Sequence, residues 1–267
     1  MDRLTVQTTG LAVALVGAPR ALLSALMGLR EVSGGTLRIA GMAPAEAVRS
    51  AKVAAAPLDV PMPGRWTVTR FVTESARLAG RGSQAAHTAL EAMQLLGQAN
   101  VKLAGAAPAV RRATMIASAL ATGAETLLVE DFSPGLPDEA ARALARVFLS
   151  AVNGHPWILF AGRLALASPL GMEADEALVF SGSNLLAAGP PAELAGRERT
   201  FSVRVSGAKA EVYAERLRER GATVQASSVT ALTVTMPPEL TPRDLVLVAK
   251  DTDVVLLELA PLTPALM

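Results

Sequence analysis

The chain has no cysteine, only two histidines and few aromatic side chains, and each scarcity removes a class of chemistry. Without cysteine there is no disulfide, no thiolate nucleophile and no Cys-ligated zinc or iron–sulfur centre. His87 and His155 lie far apart, neither with a second histidine at ligand spacing, so no metal site is expected. Excess charge of one sign is lacking too. The formal net charge is +1, which gives no global field to steer the protein toward nucleic acid or an anionic membrane. Nor is there a long unbroken apolar run. The stretch from Gly10 to Leu29 is interrupted by Gly17, Pro19, Arg20 and Gly28, whereas a membrane helix needs about 20 mostly apolar residues. The opening Met-Asp-Arg carries no net positive charge and no clean small-x-small cleavage site follows, so a signal peptide is not expected and the protein reads as cytoplasmic.

What is present is core-forming sequence: 51% of residues are hydrophobic and 18% charged, which excludes a disordered chain. Alanine is abundant, as a high-GC bacterial coding bias would give. Leu11 to Val16 (LAVALV) is continuously apolar, the pattern of a strand covered on both faces. Pro19 suits the first turn of a helix that continues as ALLSALMGL. After Gly34-Gly35, TLRIAG predicts a short strand ending at Gly41, Pro44 to Ser50 a short helix, and Lys52 to Ala56 a buried strand. Pro57, Pro61, Pro63 and Gly64 make the following stretch a loop. Helical spacing runs from Val68 to Leu96 with a break at residues 80–83, and again over Ala109 to Ala121 and Asp138 to Val152. Thr126 to Val129, Trp157 to Ala161 and Ala177 to Phe180 predict buried strands. The alternation argues for an α/β domain with a mainly parallel sheet.

Near Arg199 the pattern changes. FSVRV (201–205), an Arg/Glu-rich helix from Ala210 to Arg220, strands over 223–229 and 230–236, a helix from Pro242 to Lys250 and a strand over 253–259 spell β-α-β-β-α-β, the ferredoxin-like split arrangement. In the Arg-rich helix, Glu211, Glu215 and Glu219 interleave with the arginines. A salt-bridged solvated face therefore accounts for it better than a nucleic-acid surface does.

Three segments carry a family resemblance. VALVGAPRALLSALMGLREVSGGTLRIAG has the layout of a phosphate-loop region, Ala109 to Asp138 that of a signature helix with an acidic strand and turn, and LVFSGSNLLAAGPPAEL that of a closing hairpin with its exit. Together they resemble the nucleotide-binding domain of ABC transporters, over about residues 2–196. Residues 201–260 resemble the small domain appended to nucleotide-binding subunits of ABC-2-type exporters. The resemblance implies a P-loop NTPase-like domain over 1–198, with a helical subdomain over about 66–122, and a ferredoxin-like domain over 199–267.

Motif by motif, the chemistry that the resemblance implies is missing. The family's phosphate loop ends in Gly-Lys-Ser/Thr, whose backbone N–H groups and Lys hold the phosphates. Here Gly17-Ala18-Pro19-Arg20-Ala21 is shorter, the chain has no Gly-Lys pair, and no Lys precedes Lys52. Arg20 is the one cation placed to approach a phosphate. The acidic strand ends Glu130-Asp131, the reverse of the family's order. Leu58 stands at the glutamine-loop position, and Ala106-Ala107-Pro108-Ala109-Val110 replace the signature. Pro137 replaces the aspartate after the acidic turn, and Gly162 the switch histidine. The family's N-terminal strand and adenine-stacking aromatic are also expected to be absent.

The expected role is therefore a catalytically inactive subunit with Glu130 and Asp131 vestigial, no cofactor of its own, and ATP and Mg²⁺ only on a partner, if at all. Its expected partners are another ABC ATPase subunit, in a hetero- or homodimer, and a multispanning permease that holds it at the inner face of the membrane. Nucleic acid is not expected. Met62, Arg65, Trp66, Arg111, Arg112 and Pro137 are the candidate partner contacts, with ordinary core filling as the other reading of Trp66 and the preferred one for Trp157. Two alternatives stay open: a residual or rebuilt ATPase site using Glu130 and Asp131, and a small-molecule-sensing regulator.

Overall fold

The computed structural model describes residues 10–31, 34–58, 60–164, 168–181, 184–195, 200–206, 209–226, 228, 230–237 and 239–261. The chain resolves into two compact units, residues 1–191 and 192–267; the boundary anticipated at 198/199 lies outside the described residues.

Unit 1 is a mixed α/β domain. In chain order it contains β1 (Ala12–Val16), α1 (Arg20–Leu26), α2 (Pro44–Arg49), β2 (Val53–Ala56), α3 (Val68–Leu78), α4 (Ser83–Ala92), α5 (Pro108–Ala121), β3 (Thr126–Glu130), α6 (Asp138–Ala151), β4 (Trp157–Ala161), α7 (Pro169–Glu173), β5 (Glu176–Ser181) and β6 (Asn184–Gly189). The sheet runs β2-β3-β4-β1-β5-β6, parallel except for the antiparallel β5–β6 hairpin. All five residues of β1 are buried, as expected of a central strand covered on both faces. In α3 the buried residues Val68, Val72 and Ala76 recur every fourth position, and Thr67 caps the helix by accepting the Arg70 N–H at 3.2 Å. The buried hydroxyls of Thr114 and Ser118 in α5 return to the carbonyls of Val110 and Met115, so neither is left unsatisfied.

The strand expected over TLRIAG does not form. Ala40 and Gly41 both take positive φ (50° and 75°), turning the chain so tightly that Ile39 bridges only to Met42, and among the described residues no strand pairs with this segment.

A short helix, α8 (Pro191–Ala195), leads into unit 2, which comprises β7 (Thr200–Val205), α9 (Ala210–Glu219), β8 (Thr223–Ala226), β9 (Ala231–Thr235), α10 (Pro242–Asp251) and β10 (Leu256–Pro261). Its antiparallel sheet is ordered β10-β7-β9-β8, the split βαβ topology. Phe201, Val203 and Val205 alternate inward along β7, against a core that includes Tyr213, Leu217, Leu245 and Val248. Thr241 and Asp244 form the capping box of α10. Two arginines of α9 pair with the expected glutamates, Arg216 with Glu219 and Arg218 with Glu211, while Arg220, just past the helix, pairs with Asp251.

Tyr213 is fully buried, its hydroxyl donates to the Leu245 carbonyl at 3.1 Å, and burial pushes its pKa up to about 12. The folded state holds the phenol neutral past the pH, about 10, at which the unfolded chain ionises. Unit 2 therefore keeps this stabilisation below pH 10 and loses it between pH 10 and 12, by about 2–3 kcal/mol. Because Tyr213 is the sole tyrosine, tyrosinate absorbance reports it alone. The expected midpoint in the folded protein is about 12, and a midpoint near 10 contradicts the burial argument.

Candidate functional site

The carboxyl ends of parallel strands are where open α/β sheets place their ligands. At this edge the topology gathers Leu58 beyond β2, Glu130 and Asp131 at β3, Gly162 after β4 and Gly17 after β1. Only three residues, Gly17-Ala18-Pro19, separate β1 from α1. Gly17 has φ +68°, and its N–H donates to the Ala161 carbonyl at 2.8 Å. A Cβ there would lie 2.6 Å from the Phe180 carbonyl oxygen, so the sheet itself demands glycine at this point.

Glu130 is held from two directions. Its Oε1 accepts from the Arg20 guanidinium at 2.7 Å, and its Oε2 from the Leu58 backbone N–H at 2.8 Å. The carboxylate side chain is 12% exposed and the arginine 72%. One carboxylate thus ties the start of α1 to β3 and to the loop after β2. Asp131 turns locally: its Oδ1 accepts the Ser133 N–H at 2.8 Å, an Asx-type turn at the strand end. Gly162 is exposed, with open space where a side chain would project.

The replaced signature residues lead into α5. Ala106 is buried, Ala107 is the N-cap with no side-chain hydrogen bond, Pro108 occupies the first turn, and Ala109 and Val110 follow within it. Beside them lies a cavity of about 410 Å³ whose lining includes Leu58, Met62, Leu103, Met115, Arg111 and Arg112. Arg112 donates to the carbonyls of Phe132 and Pro134, fastening α5 to the loop that follows the acidic strand. Three of the anticipated partner contacts, Met62, Arg111 and Arg112, therefore share one wall. The other three do not line it: Arg65 and Pro137 are exposed elsewhere, and Trp66 is half-buried. Trp66 packs edge-on to Phe71, with ring centroids 6.5 Å apart, and the Arg70 guanidinium sits 4.7 Å from its ring centroid. Trp157 is 4% exposed, a core residue as preferred.

No family model matches the chain, and no curated protein sequence matches it. Solved structures do. An ATP-binding cassette of an ABC transporter in its ADP conformation aligns with TM-score 0.57 at 16% identity, covering 68% of this chain and 81% of its own. A nucleotide-free ATP-binding cassette aligns with TM-score 0.57 at 16% identity (69% and 83%), and an ATP-binding subunit of an ABC transporter with 0.58 at 16% (70% and 83%). The fold is that of an ATP-binding cassette.

A cassette fold implies Mg²⁺ and a nucleoside triphosphate at this sheet edge. Of the backbone donors in the loop, Gly17 N–H is engaged by Ala161 and Pro19 has none. The cation at the start of α1 faces a carboxylate of its own chain. Among the described residues no three His, Asp or Glu side chains converge to hold a metal ion. The loop from Gly17 to Ala21 thus presents neither a lysine nor a hydroxyl to a nucleotide and its metal. Three contacts of this site leave no trace in the sequence: the Leu58 donor and the Phe132 and Pro134 carbonyls held by Arg112 belong to the backbone. The Arg20–Glu130 pair joins residues 110 positions apart and was not anticipated either.

Proposed function

We propose that this chain is a non-catalytic cassette subunit of an ABC transporter, working as a structural or regulatory partner of a second, ATP-hydrolysing subunit, of a multispanning permease, or of both. The observation that carries the reading is the Arg20–Glu130–Leu58 link. In an active site of this fold, a cation at the head of the first helix meets phosphate and an acid at the strand end serves the metal. Here each meets the other. Charge neutralisation that a ligand would supply is already present within the chain, and its rigidity no longer needs nucleotide. Leu58 belongs both to this link and to the lining of the cavity beside α5, so the link also holds one wall of that cavity, which we read as the surface that meets the permease.

The test is titration of the purified chain with a fluorescent ATP analogue and Mg²⁺. The expected result is no saturable binding up to about 1 mM, the affinity that corresponds to roughly −4 kcal/mol. Saturable micromolar binding that Arg20→Ala abolishes would overturn the proposal and establish a rebuilt nucleotide site around Glu130 and Asp131.

A further inference from the structure

The two helices of unit 2 turn unlike faces outward. The buried residues of α9 are Ala210, Tyr213, Ala214 and Leu217, and those of α10 are Leu245, Val248 and Ala249, so one side of each helix lies on the sheet core. At about 100° per residue the opposite side of α9 carries Val212, Glu215 and Glu219. That of α10 carries Arg243, Leu247 and Lys250, with Val246 beside them. Val212 is 53% exposed, Val246 49% and Leu247 41%, so both faces offer uncovered apolar surface.

Charge separates the two faces. Most ionised groups of the helices and their ends are matched within unit 2: Arg216 with Glu219, Arg218 with Glu211, Arg220 with Asp251, and Lys209 with Asp253. Asp244 accepts from Thr241 in the capping box, and Arg243 only neighbours it. Among the described residues, Glu215 on α9 and Arg243 and Lys250 on α10 are left without an ion pair. Glu239, which precedes α10, lies outside the described residues.

From this charge complementarity we infer that unit 2 pairs with unit 2 of a second copy of this chain, α9 of each packing on α10 of the other. A two-fold axis through the helical layer makes both contacts at once, as an isologous interface requires. Val212 then meets Val246 and Leu247 of the second copy, and Glu215 falls between its Arg243 and Lys250. Charge disfavours the self-matched alternatives. Packing α10 on α10 would set Arg243 and Lys250 against the same cations, and α9 on α9 would set Glu215 and Glu219 against the same acids. The contact needs unit 2 alone, so it goes beyond the nucleotide reading and does not depend on it.

Sedimentation velocity of the full chain without nucleotide tests this over about 1–500 µM, because two helical faces make a small interface with an expected Kd of about 1–100 µM. Glu215→Lys, and separately Arg243→Glu with Lys250→Glu, are each expected to weaken self-association at least about tenfold, since like charges then face each other at both contacts. All three substitutions in one chain reverse both faces and are expected to restore association to within about threefold. The two weakened variants, mixed, are expected to associate with each other. Recovery in the triple variant separates charge matching from misfolding. A chain that stays monomeric throughout overturns the inference and leaves these faces to a different partner. Self-association that ignores the three substitutions uses another surface and overturns it as well.

Discussion

Replacing Gly17 by alanine is expected to destabilise unit 1 by about 2–4 kcal/mol in the complete absence of nucleotide. The backbone at this point has φ +68°, a region that L-residues enter only at a cost. The new methyl group would also meet the Phe180 carbonyl oxygen at 2.6 Å. That oxygen belongs to β5, which is locked between β1 and β6, so the obstacle is backbone and cannot rotate away. Both tryptophans, Trp66 and Trp157, lie in unit 1, and their fluorescence during denaturant unfolding reports that unit without contribution from the other. A glycine kept only to let phosphate approach would tolerate alanine in a nucleotide-free protein. An unchanged midpoint would therefore reject the account in which the sheet demands this glycine.

Gly17 also shows which parts of the molecule are legible in the sequence. The strand–glycine–helix layout was readable because a continuous apolar run announces a strand buried on both faces, and β1 is buried along its whole length. The β7–β10 unit was readable for a similar reason: alternation along β7, glutamates among the arginines of α9 and the Thr241 cap are local signals. TLRIAG failed because its apolar pattern suits a strand, while its outcome depended on the positive φ of Ala40 and on a pairing partner, neither of which a short window records. The site was legible by subtraction only. The missing lysine, the proline in the loop and the reversed acids could be seen, but not what replaced their interactions. The sequence offers Arg20 as a cation near the phosphate-loop position, and the sheet brings it to Glu130. Leu58 marked the loss of a side-chain amide, yet its contribution comes from an N–H that any residue except proline would supply.

The largest single loss is expected at Phe148, where truncation to alanine should cost about 3–5 kcal/mol. The chain's few aromatics, six Phe, two Trp and one Tyr, are not spread evenly. Phe132, Phe148 and Trp157 form one edge-to-face series, with both neighbouring centroids 5.7 Å from Phe148 and interplanar angles of 64° and 73°. Phe148 itself is fully buried, so its removal loses both the transfer energy of the ring and two aromatic contacts worth about 0.5–1.5 kcal/mol each. The series reaches toward the cavity beside α5. Phe132 follows Asp131, and its carbonyl receives the Arg112 guanidinium that fastens α5 beside the cavity. Loosening Phe132 should therefore weaken the cavity wall along with the core. Phe148→Leu, which restores most of the volume without the ring edges, is expected to cost less than half as much. Unfolding midpoints read by tryptophan fluorescence, together with the Met115 methyl resonance, check both effects. A Phe148→Ala cost below about 1 kcal/mol, or a Met115 environment indifferent to the change, would mean that the aromatic series does not support the surface assigned to the partner.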